Sequence, residues 1–139
     1  MKQTFEAAAT QAAIPDDLKL YWAMWVSDLT LRSGQPQPAS ARDVIASFEG
    51  DPWLQSLAQH SRGELSYEAL LEQASNRGQR CEAHYYEGLA RARAGDFAAG
   101  KPLLEKSMST GMLSFFEYQF AAHFLDWGEI PAKARPATK

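Results

Sequence analysis

The residues of this chain that could do chemistry are one cysteine and three histidines. Cys81 and His84 are spaced Cys-x-x-His, which places two metal ligands, or a nucleophile and its base, on one helical face. A structural zinc site needs four ligands, and the sequence offers no second pair at a suitable spacing. A lone cysteine is more often a small packed apolar residue than a nucleophile. We therefore expect no metal site here.

Other catalytic patterns are also missing from the sequence. His60, His84 and His123 fall in three different predicted helices and form no equivalent column, so we expect them to be solvated or partly packed. There is no glycine-rich phosphate loop, no nucleophile elbow and no paired-carboxylate arrangement. The chain is therefore predicted to be no enzyme and to use no cofactor. A cysteine-dependent enzyme using Cys81 and His84 stays open as a weaker alternative.

The elements that would position any site are indicated by a recurring glycine. Gly34, Gly63, Gly95 and Gly128 are each followed by a polar residue, and they are separated by 29, 32 and 33 residues. A large residue stands ten positions before each glycine and a small one stands seven positions before it: Met24, Trp53, Tyr85 and Tyr118, then Ser27, Ser56, Gly88 and Ala121. A small residue lets a second helix approach closely, and the large one fills the space beside it. This period predicts stacked helical hairpins.

Apolar periodicity and capping signals predict helices and no strands. The predicted helices cover about 2–13, 16–33, 41–49, 52–61, 67–76, 79–94, 97–110 and 115–127. Ser40 and Ser66 are predicted N-caps, Asp51-Pro52 a helix start, and Ser114 with Glu117 a capping box. Pro102 lies inside one predicted helix, which is expected to start later or to bend there.

Residues 81–110 resemble a tetratricopeptide repeat (TPR), a resemblance carried by Tyr85, Gly88, Gly95-Asp96-Phe97 and Gly100. Segments 18–49 and 52–76 look like divergent preceding repeats, and 114–130 looks like a further first helix. The run 52–125 is similar to TPR segments of bacterial proteins. The resemblance implies an all-α fold of about three and a half antiparallel hairpins, stacked as a short TPR-like solenoid. We expect one domain over 1–130 and a flexible basic tail over 131–139.

Charge and hydropathy exclude two classes of partner. The formal net charge is −3, although the last nine residues carry three basic and no acidic side chains. An acidic body argues against nucleic-acid binding, which requires a basic face. No apolar run approaches the ~20 residues that a membrane span needs. The first residues lack the apolar core of a signal peptide, so we expect a cytoplasmic protein, or a periplasmic one if an export signal has been removed.

The TPR resemblance also implies where a partner would bind. In TPR stacks the first helix of each hairpin lines the concave face, and ligands dock on that face. Tyr85, Leu89 and Arg93 share one face of a predicted first helix, and Trp53 comes from the preceding repeat. A tyrosine-lined groove with an arginine at one end suits a peptide that carries an acidic group. The lysine–asparagine clamp of some TPR domains is not matched, because Tyr85 and Leu89 stand at those positions.

A second candidate surface is the last predicted helix, where Phe116 and Phe120 are candidates for an end-on contact. No second helix follows to cover them, so this helix packs on the preceding hairpin alone, forms a homodimer, or receives a partner's helix. The favoured function is a non-catalytic protein–protein interaction module, an adaptor that binds a peptide or domain of a partner. The alternative is a dedicated inhibitor or immunity-type protein that neutralises one partner enzyme.

Overall fold

The structure, a computed structural model, describes residues 2–128, and over that range it contains helices joined by turns and loops and no strand. Its elements are α1 (Lys2–Ala9), α2 (Asp16–Arg32), α3 (Ala39–Ser47), α4 (Pro52–Ser61), α5 (Tyr67–Gln73), α6 (Arg77–Arg93), α7 (Phe97–Ser109) and α8 (Phe116–Trp127). The prediction of an all-α chain is therefore confirmed for these residues. The predicted tail, 131–139, lies outside the described residues.

The helices fall into two compact units, Met1–Leu65 and Ser66–Lys139. In the first unit, α2 packs against α1, α3 and α4. Its buried apolar side chains include Leu20, Met24, Ile45 and Leu57. In the second unit, α6 packs against α5, α7 and α8, and α7 also packs against α8. The sequence-based assignment of one domain over 1–130 stays a prediction.

Side-chain caps fix the start of four helices. Asp51 accepts from the backbone N–H groups of Trp53 and Leu54, and Pro52 occupies the first turn of α4, as predicted. Ser66 caps α5 through the N–H of Ala69, also as predicted. Asn76 and Asp96 cap α6 and α7 in the same way. The Asn76 cap starts α6 at Arg77, two residues earlier than expected.

Three predicted features differ from the structure. Ser40 is no N-cap, because Pro38 provides the extended residue before α3 and Ser40 lies inside the first turn. Ser114 and Glu117 form no capping box: Phe115 precedes α8 without a side-chain cap, and the Glu117 carboxylate is buried and engaged elsewhere. Helix α7 starts at Phe97 and continues through Pro102, so the later start is wrong.

The closest packing within the second unit joins α6 to α7. The Cys81 Sγ lies 3.2 Å from the Ser107 Oγ, which donates to the Cys81 carbonyl oxygen at 3.0 Å. At the other end of the same pair of helices, Gly88 and Gly100 bring the two backbones into contact. These two contacts make α6 and α7 an antiparallel pair. The small residues predicted to permit close approach do so here, at Gly88.

All four recurring glycines have a positive φ, between 71° and 90°. Each stands just after a helix, where a left-handed residue ends the helix and turns the chain. The recurring sequence pattern therefore corresponds to a recurring backbone conformation. The four small residues seven positions upstream are all buried as well.

Candidate functional site

The groove residues predicted on α6 are in the core of the second unit. Tyr85 and Leu89 are both 0% exposed. The Tyr85 ring packs edge-to-face against Tyr86 at a centroid distance of 5.0 Å, and burial raises the pKa of the Tyr85 hydroxyl well above its usual value. This corrects the expectation that these two side chains line an open groove. Their face of α6 packs against neighbouring helices.

The other two groove candidates are differently placed. Trp53 belongs to α4, in the first unit, and is 9% exposed. Arg93 stands in the last turn of α6 and is partly exposed. Burial of its guanidinium lowers the pKa of Arg93 to about 10, so the side chain stays protonated at neutral pH. Of the four groove candidates, Arg93 has the largest exposed fraction, although its guanidinium is the part that is buried.

Cys81 and His84 have separate partners. The Cys81 thiol is fully buried beside Ser107, and burial raises its pKa, which favours the thiol over the nucleophilic thiolate. The His84 Nδ1 instead lies 2.8 Å from the Tyr67 Oη on α5. Within residues 2–128, no three His, Cys, Asp or Glu side chains are grouped closely enough to hold a metal ion. Of the Cys-x-x-His pair, Cys81 therefore packs in the core beside Ser107, whereas His84 contacts Tyr67 of α5.

The accessible candidates are Phe116 and Phe120 on α8. Their rings stack with centroids 3.9 Å apart and planes inclined by 19°, and both side chains are half-buried. The contact continues along the helix, because Phe120 meets His123 at 6.1 Å and His123 stacks on Trp127 at 5.7 Å. We call Phe116, Phe120, His123 and Trp127 the aromatic stripe. His123 is exposed and Trp127 is 41% exposed.

The buried face of α8 lies next to the aromatic stripe. Glu117, Ala121 and Phe124 recur at helical spacing and are all buried. The Tyr86 hydroxyl of α6 donates to the Glu117 carboxylate at 2.8 Å, which anchors the first turn of α8. Phe116, Phe120 and His123 each stand one position before one of these three anchors, which is a rotation of about 100° round the helix, so the stripe lies along the flank of the buried face. The anchored face therefore fixes the rotation of α8 about its axis.

Sequence reasoning found the first two residues of the aromatic stripe and missed the last two. The signal for the others was present, since positions 116, 120, 123 and 127 repeat with the helical spacing of four, three and four residues. The sequence predicts His123 to be solvated or partly packed, and Trp127 serves there only as the end of the last predicted helix. Their ring contacts join them to Phe120 in one continuous surface.

Comparison with known proteins gives no further guide to this surface. No protein-family model, curated protein or solved structure matches the chain. None of the helices over residues 2–128 combines the length and the apolar character that crossing a membrane requires.

Proposed function

We propose that this chain is a non-catalytic protein–protein interaction module, built of TPR-like helical hairpins, that binds its partner through the aromatic stripe of α8. The observation that supports the proposal is a set of four contacting rings that run along α8 beside the face buried at Glu117, Ala121 and Phe124, two of them half-buried and two exposed. Accessible aromatic rings on a rigid element are the residue type that dominates binding energy at protein interfaces.

The dimensions of the aromatic stripe indicate what kind of segment fits it. Its ends are eleven positions apart, which at a rise of about 1.5 Å per residue is a length of about 16.5 Å. That length matches about three turns of a partner helix. An amphipathic helix with apolar residues on one face would bury the four rings, and burying one large apolar side chain contributes about 1.5–3 kcal/mol. The proposed partner is therefore a protein with an amphipathic helix.

Of the residues of α6 that the TPR resemblance places on a concave face, we keep only Arg93 as a candidate for contact with a partner. Tyr85 and Leu89 are core residues, so their replacement is expected to unfold the second unit rather than to weaken binding selectively. A helix that docks on the aromatic stripe needs neither of them.

The test is an affinity capture from lysate of the source organism, followed by titration of the captured protein against purified variants. Phe120→Ser with Trp127→Ser removes two rings from the aromatic stripe and leaves the buried anchors intact. Leu113→Ser is the matched control, because Leu113 is 67% exposed and apolar but lies outside the aromatic stripe. We expect the double variant to lose at least tenfold in affinity, since each hot-spot aromatic contributes on the order of 1–2 kcal/mol, and the control to bind normally.

The outcomes separate the candidate functions. A partner enzyme that loses activity in the complex would favour the inhibitor over the adaptor. Analytical ultracentrifugation of the purified chain shows whether it forms a homodimer. If the parent chain dimerises and the double variant does not, the occupant of the aromatic stripe is a second copy of the chain. A partner that binds the double variant as tightly as the parent chain would refute the aromatic stripe as its binding surface.

A further inference from the structure

The contact between α5 and α6 contains a polar pair in which a histidine can take up a proton in acid. The Tyr67 Oη lies 2.8 Å from the His84 Nδ1, and the two rings are 6.1 Å apart. Helix α5 has seven residues, of which Leu70 is fully buried. So short a helix depends on tertiary contacts, because isolated helices below about 12 residues are marginal in water. Leu70 and the Tyr67–His84 pair supply such contacts.

The surroundings of His84 disfavour its protonated form. Partial burial is the largest cause that lowers the pKa of His84, and the positive charges of Lys106 on α7 and Arg80 on α6 lower it further. The Arg91 guanidinium lies 6.0 Å from the Tyr67 ring and is held there by Glu87 at 2.8 Å.

The groups around Tyr67 keep it in its neutral, donating form. Burial raises the pKa of Tyr67, with further raising by Glu87 and Glu68 against lowering by Arg91. A neutral phenol donates readily to an imidazole nitrogen that carries no proton. With Tyr67 donating to Nδ1, the neutral imidazole carries its proton on Nε2.

We propose that the Tyr67–His84 contact is an acid-sensitive latch, which holds α5 on α6 while His84 is neutral and releases α5 when His84 takes up a proton. Opening of α5 removes the Tyr67 ring from His84 and returns the imidazole to water, which relieves the cost of burying its charge. The open form therefore binds a proton more tightly than the closed form. By linkage, the closed form has its full stability above the ordinary histidine pKa of about 6.5 and loses it as the pH falls through the lowered value.

The test combines histidine NMR with amide hydrogen exchange on the full chain. His84→Gln identifies the His84 resonances among the three histidines, and a pH titration gives its pKa. Protection factors of the α5 amides, corrected for the intrinsic pH dependence of exchange, are compared at about pH 7.5 and about pH 5. We expect the α5 protection to fall about tenfold for each pH unit between the closed and open pKa values of His84. Protection in the centre of α7 should fall less.

Two variants separate the latch from a purely structural contact. In His84→Gln, the position cannot be protonated, so the α5 protection should be the same at both pH values. In Tyr67→Phe, the ring remains but the donor to Nδ1 is lost, so the pKa of His84 should rise. The proposal is overturned if α5 keeps its protection while His84 titrates, or if His84→Gln loses protection in acid as the parent chain does. An unchanged His84 pKa in Tyr67→Phe would equally contradict it.

Discussion

Replacing Gly100 by alanine tests the close packing of α6 on α7 most sharply. A Cβ at Gly100 would overlap the carbonyl oxygen of Gly88 and would lie 3.4 Å from the Ala92 nitrogen. Both atoms belong to the α6 backbone, which cannot rotate away as a side chain can. The same change at Gly88 is milder, because its Cβ would lie 3.0 Å from the Leu104 Cδ2 and 3.2 Å from the Gly100 carbonyl oxygen, which are tight contacts but not an overlap.

The expected magnitudes follow from two opposing effects. Alanine is favoured over glycine within a helix by about 1 kcal/mol, which stabilises both variants. Overpacking costs about 1–3 kcal/mol, and a backbone overlap belongs at the upper end. We therefore expect Gly100→Ala to lower the free energy of unfolding by about 2 kcal/mol and Gly88→Ala to leave it nearly unchanged.

Urea denaturation followed by circular dichroism measures both variants, and hydrogen exchange of α6 and α7 assigns the loss to this pair. Ala98→Gly is the matched control, because Ala98 is exposed on α7 and reports the glycine penalty of about 1 kcal/mol without a packing change. Equal stability of the Gly100 and Gly88 variants would refute the reasoning. So would a Gly100→Ala protein more stable than the parent chain.

The remaining predictions concern buried polar groups and a helix cap. Tyr86→Phe removes the donor to the buried Glu117 carboxylate, so the free energy of unfolding should fall by about 1–3 kcal/mol in urea denaturation. Tyr118→Phe, at a partly exposed position, is the control. Cys81 should react with a thiol reagent far more slowly than free cysteine until urea opens the second unit; rapid labelling of the folded chain would contradict its burial. Asp51→Ala should destabilise α4 by about 1 kcal/mol while Asp51→Asn retains most of the cap, as thermal unfolding can check.

Local signals in the sequence predicted much of the helical framework. The Ser66 cap and the Asp51-Pro52 start each depend on one or two neighbouring residues, and the structure confirms them. The capping box before α8 failed for a tertiary reason. Glu117 has the right spacing to Ser114, but it is buried and accepts from Tyr86, thirty-one residues earlier in the chain.

The site was harder to predict because exposure depends on how helices are rotated against each other. Tyr85 and Leu89 were placed in a groove by analogy with TPR geometry, and nothing local to α6 distinguishes a groove face from a core face. The anchors that fix the rotation of α8, and with it the positions of Phe116 and Phe120, include a hydrogen bond from another helix. The helical periodicity of the sequence is enough to extend the aromatic stripe to His123 and Trp127. It does not show which side of the helix is buried.

The most direct test of the central claim is photo-crosslinking from the aromatic stripe in living cells. A photoreactive phenylalanine analogue would replace Phe120, and the same analogue at the exposed position Ala98 on α7 would serve as the control. The account predicts a discrete crosslinked protein from position 120 that position 98 does not capture. Identical products from both positions, or none from position 120, would contradict a partner bound on α8.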